Sequence, residues 1–326
     1  MPYVSIIVPA YDVASTLPET LGALLAQSFS DFEVLVVDDG STDETARIAH
    51  SFQSDDRVKL ISQRNRGLAG ARNSGIAAAR GGLIAFCDAD DTWEPEKLET
   101  HVRHLHANPD IGISYAGSAI MDEGSIQLGR HQSPRLRDIR PEHIFKRNPI
   151  GNGSAPVMRR AVFDAIAYRP SFETERDWYF DETFRQSEDI ECWLRIALTT
   201  DWCFEGVDGH LTNYRINASG LSADTDRQLA SWENMVSKLR PINPTFFDEH
   251  ETAARSYQYR YLARRAVSDF DGVRAWNLTL QSLHQSFRPV FEEPIKTIQT
   301  AVAAGALRLV GPNALRPFLV AKGAKS

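Results

Sequence analysis

The sequence predicts an α/β fold in which a mostly parallel sheet is flanked by helices and followed by a helical C-terminal appendage. Three observations carry this. Short β-branched apolar runs alternate four times with helix-like segments inside the first hundred residues, the pattern of a parallel sheet with helices on both faces. Acidic clusters close the second and fourth runs, at Asp38-Asp39 and Asp88-Ala89-Asp90-Asp91. Ligands of such sheets lie beyond the carboxyl ends of the strands, so both clusters are expected on one crevice. From about Leu229 the hydrophobic period becomes helical.

Taken in order, Val4 to Pro9 is a buried first strand stopped by proline. A helix follows, with Ser15 as its cap, Pro18 in its first turn and an apolar stripe of Leu17, Leu21, Leu24 and Leu25. Phe32 to Val37 is the second strand, and the spacing of Ser41 and Glu44 predicts a capping box on a helix over 42–52. Val58 to Ile61 is the third strand, followed by a helix from Gly67 to the Gly81-Gly82 break. Leu83 to Phe86 is the fourth, and Thr92-Trp93-Glu94-Pro95 reads as a turn.

Carboxylates crowded at a strand end repel one another, and a hard divalent cation relieves that repulsion. The plainer reading of Asp88 to Asp91 is a solvated turn capping the next helix. That helix carries Leu98, Val102 and Leu105, with His101, His104 and His106 expected on a wet polar face. Ile111 to Tyr115 suggests a fifth strand, and 121–147, polar and without a period, reads as an insertion or acceptor-side loop. From Ile150 a glycine-relaxed loop enters a strand, then a helix from about Arg160. Ile190, Trp193, Leu194 and Ala197 have helical spacing, which sets Glu188-Asp189 at a helix N-terminus facing the crevice.

The formal charge of -7 and pI near 5.7 argue against nucleic acid as the main partner. Cys87, Cys192 and Cys203 show no paired spacing, which fits a reducing compartment. Met1-Pro2-Tyr3 leads straight into a strand pattern and no apolar run reaches a membrane span, so the expected location is cytoplasmic. Neither a Gly-x-Gly-x-x-Gly after the first strand nor a P-loop occurs.

Four motifs in order make the pattern specific: Ser5-Ile6-Ile7-Val8-Pro9-Ala10-Tyr11, Val36-Val37-Asp38-Asp39-Gly40-Ser41-Thr42-Asp43, Asn65-Arg66-Gly67 with Ala71-Arg72-Asn73, and Asp88-Ala89-Asp90-Asp91. Together they resemble the GT-A domain of family 2 inverting glycosyltransferases. The resemblance implies that Pro9, Ala10 and Tyr11 form the loop around the nucleotide base, with the Tyr11 ring stacking on it. It implies that Asp39 hydrogen-bonds the base, typically uracil, and that Arg72 and Asn73 lie near the nucleotide. Asp88 and Ala89 then approach the ribose, and Asp90 ligates Mn²⁺ or Mg²⁺ on the diphosphate. Asn152 and Ser154 match a segment lining the acceptor, where an ordinary turn is an equal reading. Glu188-Asp189 matches the motif whose Asp is the catalytic base, although helix capping alone would also explain it.

Arg215, in Tyr214 to Ser222, matches a loop that covers the donor, where it would neutralise the departing diphosphate. Asn217 stands where the family often has histidine. The implied division is a GT-A domain over 1–225, with a nucleotide-binding half over 1–115 and an acceptor-side half over 116–225, then a helical region over 226–326. The implied reaction moves a sugar from a nucleotide diphosphate sugar, UDP-linked by analogy, to a hydroxyl of a saccharide or lipid-linked saccharide. Rival readings are transfer to a polyprenyl phosphate and an idle nucleotide-sugar-binding protein.

Residues 294–326 contain no Asp or Glu and five basic residues, Lys296, Arg308, Arg316, Lys322 and Lys325, among aliphatic ones. Such a stretch can lie on an anionic membrane, at the inner face of the cell membrane, or pack into the domain or a dimer interface.

Overall fold

The first apolar run becomes β1 (Val4–Ala10), all seven residues buried. In this computed structural model, which describes residues 1–216 and 225–311, β1 lies parallel to β2 (Phe32–Asp38) on one side and β4 (Leu83–Phe86) on the other. Beyond β2 runs β3 (Val58–Ser62), also parallel. The crossovers are α1 (Leu17–Leu25), α2 (Thr45–Ser51) and α3 (Gly67–Ala78). Strands covered on both faces need continuous apolar runs, which is what the sequence supplies. Glu33 is the exception in β2, buried beneath Ser5, Lys59 and Arg80, all of which donate to its carboxylate. Burial would raise its pKa, but those donors hold it down at about 2.

Two helix starts differ from expectation. Thr16, not Ser15, is the N-cap of α1, and its hydroxyl donates to the Ala89 carbonyl instead of capping the helix. The predicted box at Ser41 and Glu44 does not form, and α2 begins at Thr45. Ser41 Oγ accepts from the Asp12 amide, and the Asp43 carboxylate takes the Thr45 amide.

After β4 come β5 (Thr92–Trp93), α4 (Lys97–Ala107), β6 (Ile111–Met121), β7 (Gln127–Gln132), α5 (Pro141–Lys146), β8 (Val157–Arg159), α6 (Arg160–Ile166), α7 (Glu188–Thr199) and β9 (Cys203–Arg215). The strand order is β3-β2-β1-β4-β8-β6-β9-β5, with β7 on β6. The sheet is therefore mixed. Four parallel strands match the expectation, whereas β8 is antiparallel to β4 and β6, and β5 to β9. Part of the 121–147 segment is a hairpin, β6 turning into β7, and a connection that short can join only antiparallel neighbours. Thr92-Trp93 is a strand and not a turn, because it pairs with Thr212 and Asn213.

Of the histidines of α4, His106 is exposed as expected, whereas His101 and His104 are not. His101 is fully buried, and both His101 and His104 place Nδ1 on the Ser114 hydroxyl at 2.7 and 2.8 Å. Burial pushes the His101 pKa well down, so the pair is neutral packing under the sheet, not a wet face.

The chain divides into two units: Met1–Arg140 with Pro149 through β9, and Pro141–Asn148 with the C-terminal helices. The short stretch around α5 thus groups with the second unit, where a single boundary near 225 was expected. The second unit comprises α8 (Thr225–Leu239), α9 (Pro244–Ser268), α10 (Gly272–Gln285), α11 (Arg288–Glu292) and α12 (Pro294–Val310). Phe145 of α5 stacks on Trp232 and meets Phe247 edge-on. Among the described residues no helix is long and apolar enough to cross a membrane.

Candidate active site

The carboxyl ends of β1, β2 and β4 share one edge of the sheet, and the residues following them line it. Tyr11 stands half-exposed there, while Pro9 and Ala10 are buried backbone positions. Asp39 is buried and receives the backbone N–H groups of Arg66 and Gly67 at 2.8 Å each, as well as the Gln63 amide at 2.6 Å. It thus caps α3, a helix that starts almost thirty residues later. A carboxylate has about four acceptor sites, so three internal donors leave room for one more.

Arg72, in the middle of α3, joins the two acidic clusters that the chain separates. One terminal nitrogen donates to Asp88 Oδ1 at 2.9 Å and the other to Glu188 Oε1 at 2.7 Å. The guanidinium is buried, with the rings of Phe86 and Phe180 5.7 and 5.5 Å away. Gly153 passes so close that a Cβ there would meet the Arg72 guanidinium at 2.2 Å. Only glycine leaves that space. Burial works against the Arg72 charge, but Asp88, Glu188 and Asp189 hold its pKa above the usual arginine range.

Glu188 and Asp189 form the first turn of α7, behind Ser187 in the left-handed region at φ 60°. A non-glycine residue there is strained and marks an enforced backbone path. Burial raises the Glu188 pKa to about 7, with Arg72 opposing and Asp189 adding to the rise. Asp189, partly exposed, is raised as well, by burial first and with Arg72 opposing. The helix N-terminus favours the ionised form of both.

The Asp88–Asp91 loop is held from beneath. Asp91 is wholly buried, its Oδ2 accepting from Ser154 Oγ at 2.5 Å and its Oδ1 from the Arg215 amide at 2.9 Å. Ser154 Oγ in turn accepts the Asp88 amide at 2.9 Å. Burial and the neighbouring Asp90 and Asp88 push the Asp91 pKa well up. Thr16 and Thr20 hold the Ala89 carbonyl. Lys97 is fully buried, donating to the Ser154 carbonyl at 2.5 Å and Thr212 Oγ1 at 2.6 Å, and burial lowers its pKa to about 7.

Several expected contacts are redirected. Asn73 is fully buried: its amide donates to the Phe180 carbonyl and Glu182, and its oxygen accepts the Tyr179 and Phe180 amides. All its side-chain hydrogen-bonding capacity goes into fixing the segment before α7. Asn152 bonds Ser118 and Gln132 and accepts the Ser154 amide, so both acceptor-side candidates, Asn152 and Ser154, are buried props of the acidic loop. Arg215 is buried too, bonded to the carbonyls of Asp90, Asp122 and Glu123, to Ser125 Oγ and to Glu19. In this arrangement it acts as a strut of the loop. The covering loop beyond it, including Asn217, and the basic tail residues Arg316, Lys322 and Lys325 lie outside the described residues.

The supporting residues Lys97, Thr16, Thr20 and Glu19 carried no signal in the sequence. Lys97 stands in Glu96-Lys97-Leu98-Glu99, which reads as a solvated helix start. The ion pairs of Arg66 with Glu173, Glu175 and Glu182 join residues over a hundred positions apart and were equally silent.

The loop presents carboxylate oxygens, and Asp88 and Asp90 are partly accessible. Among the described residues no group of three or more His, Cys, Asp or Glu is set to hold a metal by itself. A hard divalent ion can be bound through one or two carboxylates such as these and completed by substrate phosphates.

A mixed α/β sheet whose parallel strands end in acidic loops along one edge is thus the class that this geometry defines. Residues 5–167, half of the chain, match the family described as Glycosyl transferase family 2. The chain belongs to that family. It is 30% identical over 227 residues to the Escherichia coli UDP-Glc:alpha-D-GlcNAc-diphosphoundecaprenol beta-1,3-glucosyltransferase WfgD, covering 69% of this chain and 82% of that one. An uncharacterized glycosyltransferase of Rickettsia prowazekii is 27% identical over 238 residues, 72% of this chain and 71% of its own. In fold, the chain is similar to S. aureus TarS 1-349 in complex with UDP-GlcNAc, with a TM-score of 0.58, 18% identity and 94% and 92% of the two chains covered. It is also similar to the mannosyltransferase PcManGT from Pyrobaculum calidifontis in complex with GDP-Man and Mn²⁺, with a TM-score of 0.52, 18% identity and 94% and 87% covered.

Proposed function

We propose that this glycosyltransferase moves one sugar from a UDP-sugar to a hydroxyl of a lipid-linked saccharide, with inversion at the anomeric carbon. The observation that carries the reading is the Arg72 bridge, which brings Asp88 and Glu188 onto one guanidinium and so sets the donor loop beside the start of α7.

In this reading Tyr11 stacks on the base, Asp39 accepts the imide N–H with its remaining lone pair, and Asp88 takes a ribose hydroxyl. Asp90 would hold a divalent ion together with the diphosphate, which supplies charge neutralisation for the leaving group. Asp189 takes the proton of the acceptor hydroxyl as its oxygen attacks the anomeric carbon from the face opposite the diphosphate. A carboxylate whose pKa burial has raised stands nearer the operating pH, which suits a general base. One displacement suffices, so no second nucleophilic carboxylate is required. A lipid-linked acceptor is proposed because the E. coli relative is named for one.

The test is UDP release from UDP-glucose and UDP-GlcNAc with Mn²⁺ or Mg²⁺ and a GlcNAc-terminated diphospholipid, for the wild type and Asp189→Asn. Loss of a general base costs about 10²–10⁴ in rate, so transfer should fall by that much while donor binding persists. Transfer that is indifferent to Asp189→Asn points to an acceptor that is already anionic, and donor binding without turnover in the wild type points to an idle binder. Either result overturns the proposal.

A further inference from the structure

The packing of α12 is inverted. Its inward face carries Thr297, Thr300, Ala304 and Leu307, all buried. Its opposite face carries Ile295, Ile298, Val302 and Leu309, which are 71%, 56%, 65% and 87% exposed. These four recur at i, i+3, i+7 and i+14, a single stripe at helical spacing. The small inward residues have their reason. Gly272 of α10 abuts the backbone of Leu307 and Arg308, where a Cβ would lie 2.5 Å from the Leu307 carbonyl carbon. Thr297 accepts from Arg260 and donates to the Pro289 carbonyl. The cluster beneath is built largely of alanines, Ala263, Ala266, Ala275 and Ala304, with Leu262 and Leu278. Close helix approach thus uses small residues inside, and the large aliphatics remain outside, where burial in water's absence would stabilise them. Phe287 and Phe291, just ahead of the helix, are 62% and 81% exposed.

Charge indicates what covers the stripe. Arg308 and Lys296, the latter also paired with Glu293, stand exposed to either side of it, and no Asp or Glu occurs anywhere in 294–326. The last acidic residues before it are already paired, Glu292 with Lys146 and Tyr257, and Glu293 with Arg260 and Lys296. Two copies meeting through this face would set like charges against each other. An anionic lipid surface complements them, with the aliphatics immersed at the acyl boundary and the basic side chains reaching the headgroups.

We infer that α12 is an in-plane membrane-docking helix that seats the second unit on an anionic bilayer. The inference goes beyond the active-site reading and stands without it, since vesicle binding requires neither donor nor turnover. Cosedimentation of the full chain with phosphatidylcholine vesicles, with and without phosphatidylglycerol, tests it. Each basic side chain near an anionic surface favours binding several-fold, so binding should be at least about tenfold stronger with phosphatidylglycerol and weaken as salt rises. Ile298→Asp with Val302→Asp should abolish it while leaving the melting temperature and UDP release unchanged. Lys296→Glu with Arg308→Glu, which leaves the aliphatic stripe intact, provides a second readout should the first variant fold poorly, and should remove the preference for phosphatidylglycerol. A wild-type chain that stays in the supernatant overturns the inference. So does a dimer in sedimentation velocity that Ile298→Asp with Val302→Asp turns into monomer, since the stripe is then covered by a second copy.

Discussion

The two acidic clusters of the active site are built in opposite ways. The Asp88–Asp91 loop is fastened by buried partners from several elements: Thr16 and Thr20 of α1, Ser154 ahead of β8, and Arg215 of β9, with Lys97 of α4 holding Ser154. Glu188-Asp189 depends on a helix terminus, a strained Ser187 and one guanidinium. Redundant fastening keeps a ligand-binding loop rigid, whereas the buried Arg72–Glu188 pair makes the second cluster sensitive to Arg72. Arg72 belongs to both and is where the two designs meet.

Breaking that junction should have the largest effect. Arg72→Met leaves Glu188 and Asp88 without their cation, and removing one partner of a buried pair costs about 3–5 kcal/mol. Urea unfolding should show a loss of that size together with loss of transfer. Unchanged stability would mean that water already solvates both carboxylates. Ser154→Ala tests the other side of the comparison. It removes a donor to buried Asp91 and an acceptor for the Asp88 amide, at about 1–3 kcal/mol, and should raise the KM for the UDP-sugar more than it lowers kcat. If kcat falls alone, the loop is not what Ser154 positions.

The smallest effect sharpens the comparison by pH. The folded pKa of Glu188 is raised from 4.5 to about 7. The stability linked to this group is therefore fully present below about 4.5 and is lost as pH rises through about 7. Glu188→Gln should remove that loss. Urea unfolding at pH 5 and pH 8 reads it, and a stability that still falls over this range in the variant would dissociate Glu188 from the titration.

Within one chain, the parallel half was the more legible. Val4–Ala10, Phe32–Asp38 and Leu83–Phe86 follow from apolar runs long enough to be buried on both faces, and the edge strand Val58–Ser62 from a shorter run that is only partly buried. Beyond β4 the pattern gave less, because β6 and β9 are longer than their apolar runs and β7 is an exposed polar strand made by pairing. The pattern of side chains also could not separate a buried polar prop from a ligand contact. Asn73, Asn152, Ser154 and Arg215 lie in the stretches that the motifs marked, but each spends its hydrogen bonds on the backbone or on neighbouring side chains.

By itself, the sequence determined the alternation of strand and helix, the positions of the acidic clusters at strand and helix ends, and the absence of acidic residues after Glu293. These are local properties, set by hydrophobic period and by which residues stand next to one another. Tertiary structure alone decided that Arg72 joins Asp88 to Glu188, a hundred residues further on, that Lys97 is buried, and that the aliphatic face of α12 looks outward. Those outcomes depend on which surfaces meet and which charges lose their water, and a one-dimensional pattern carries neither.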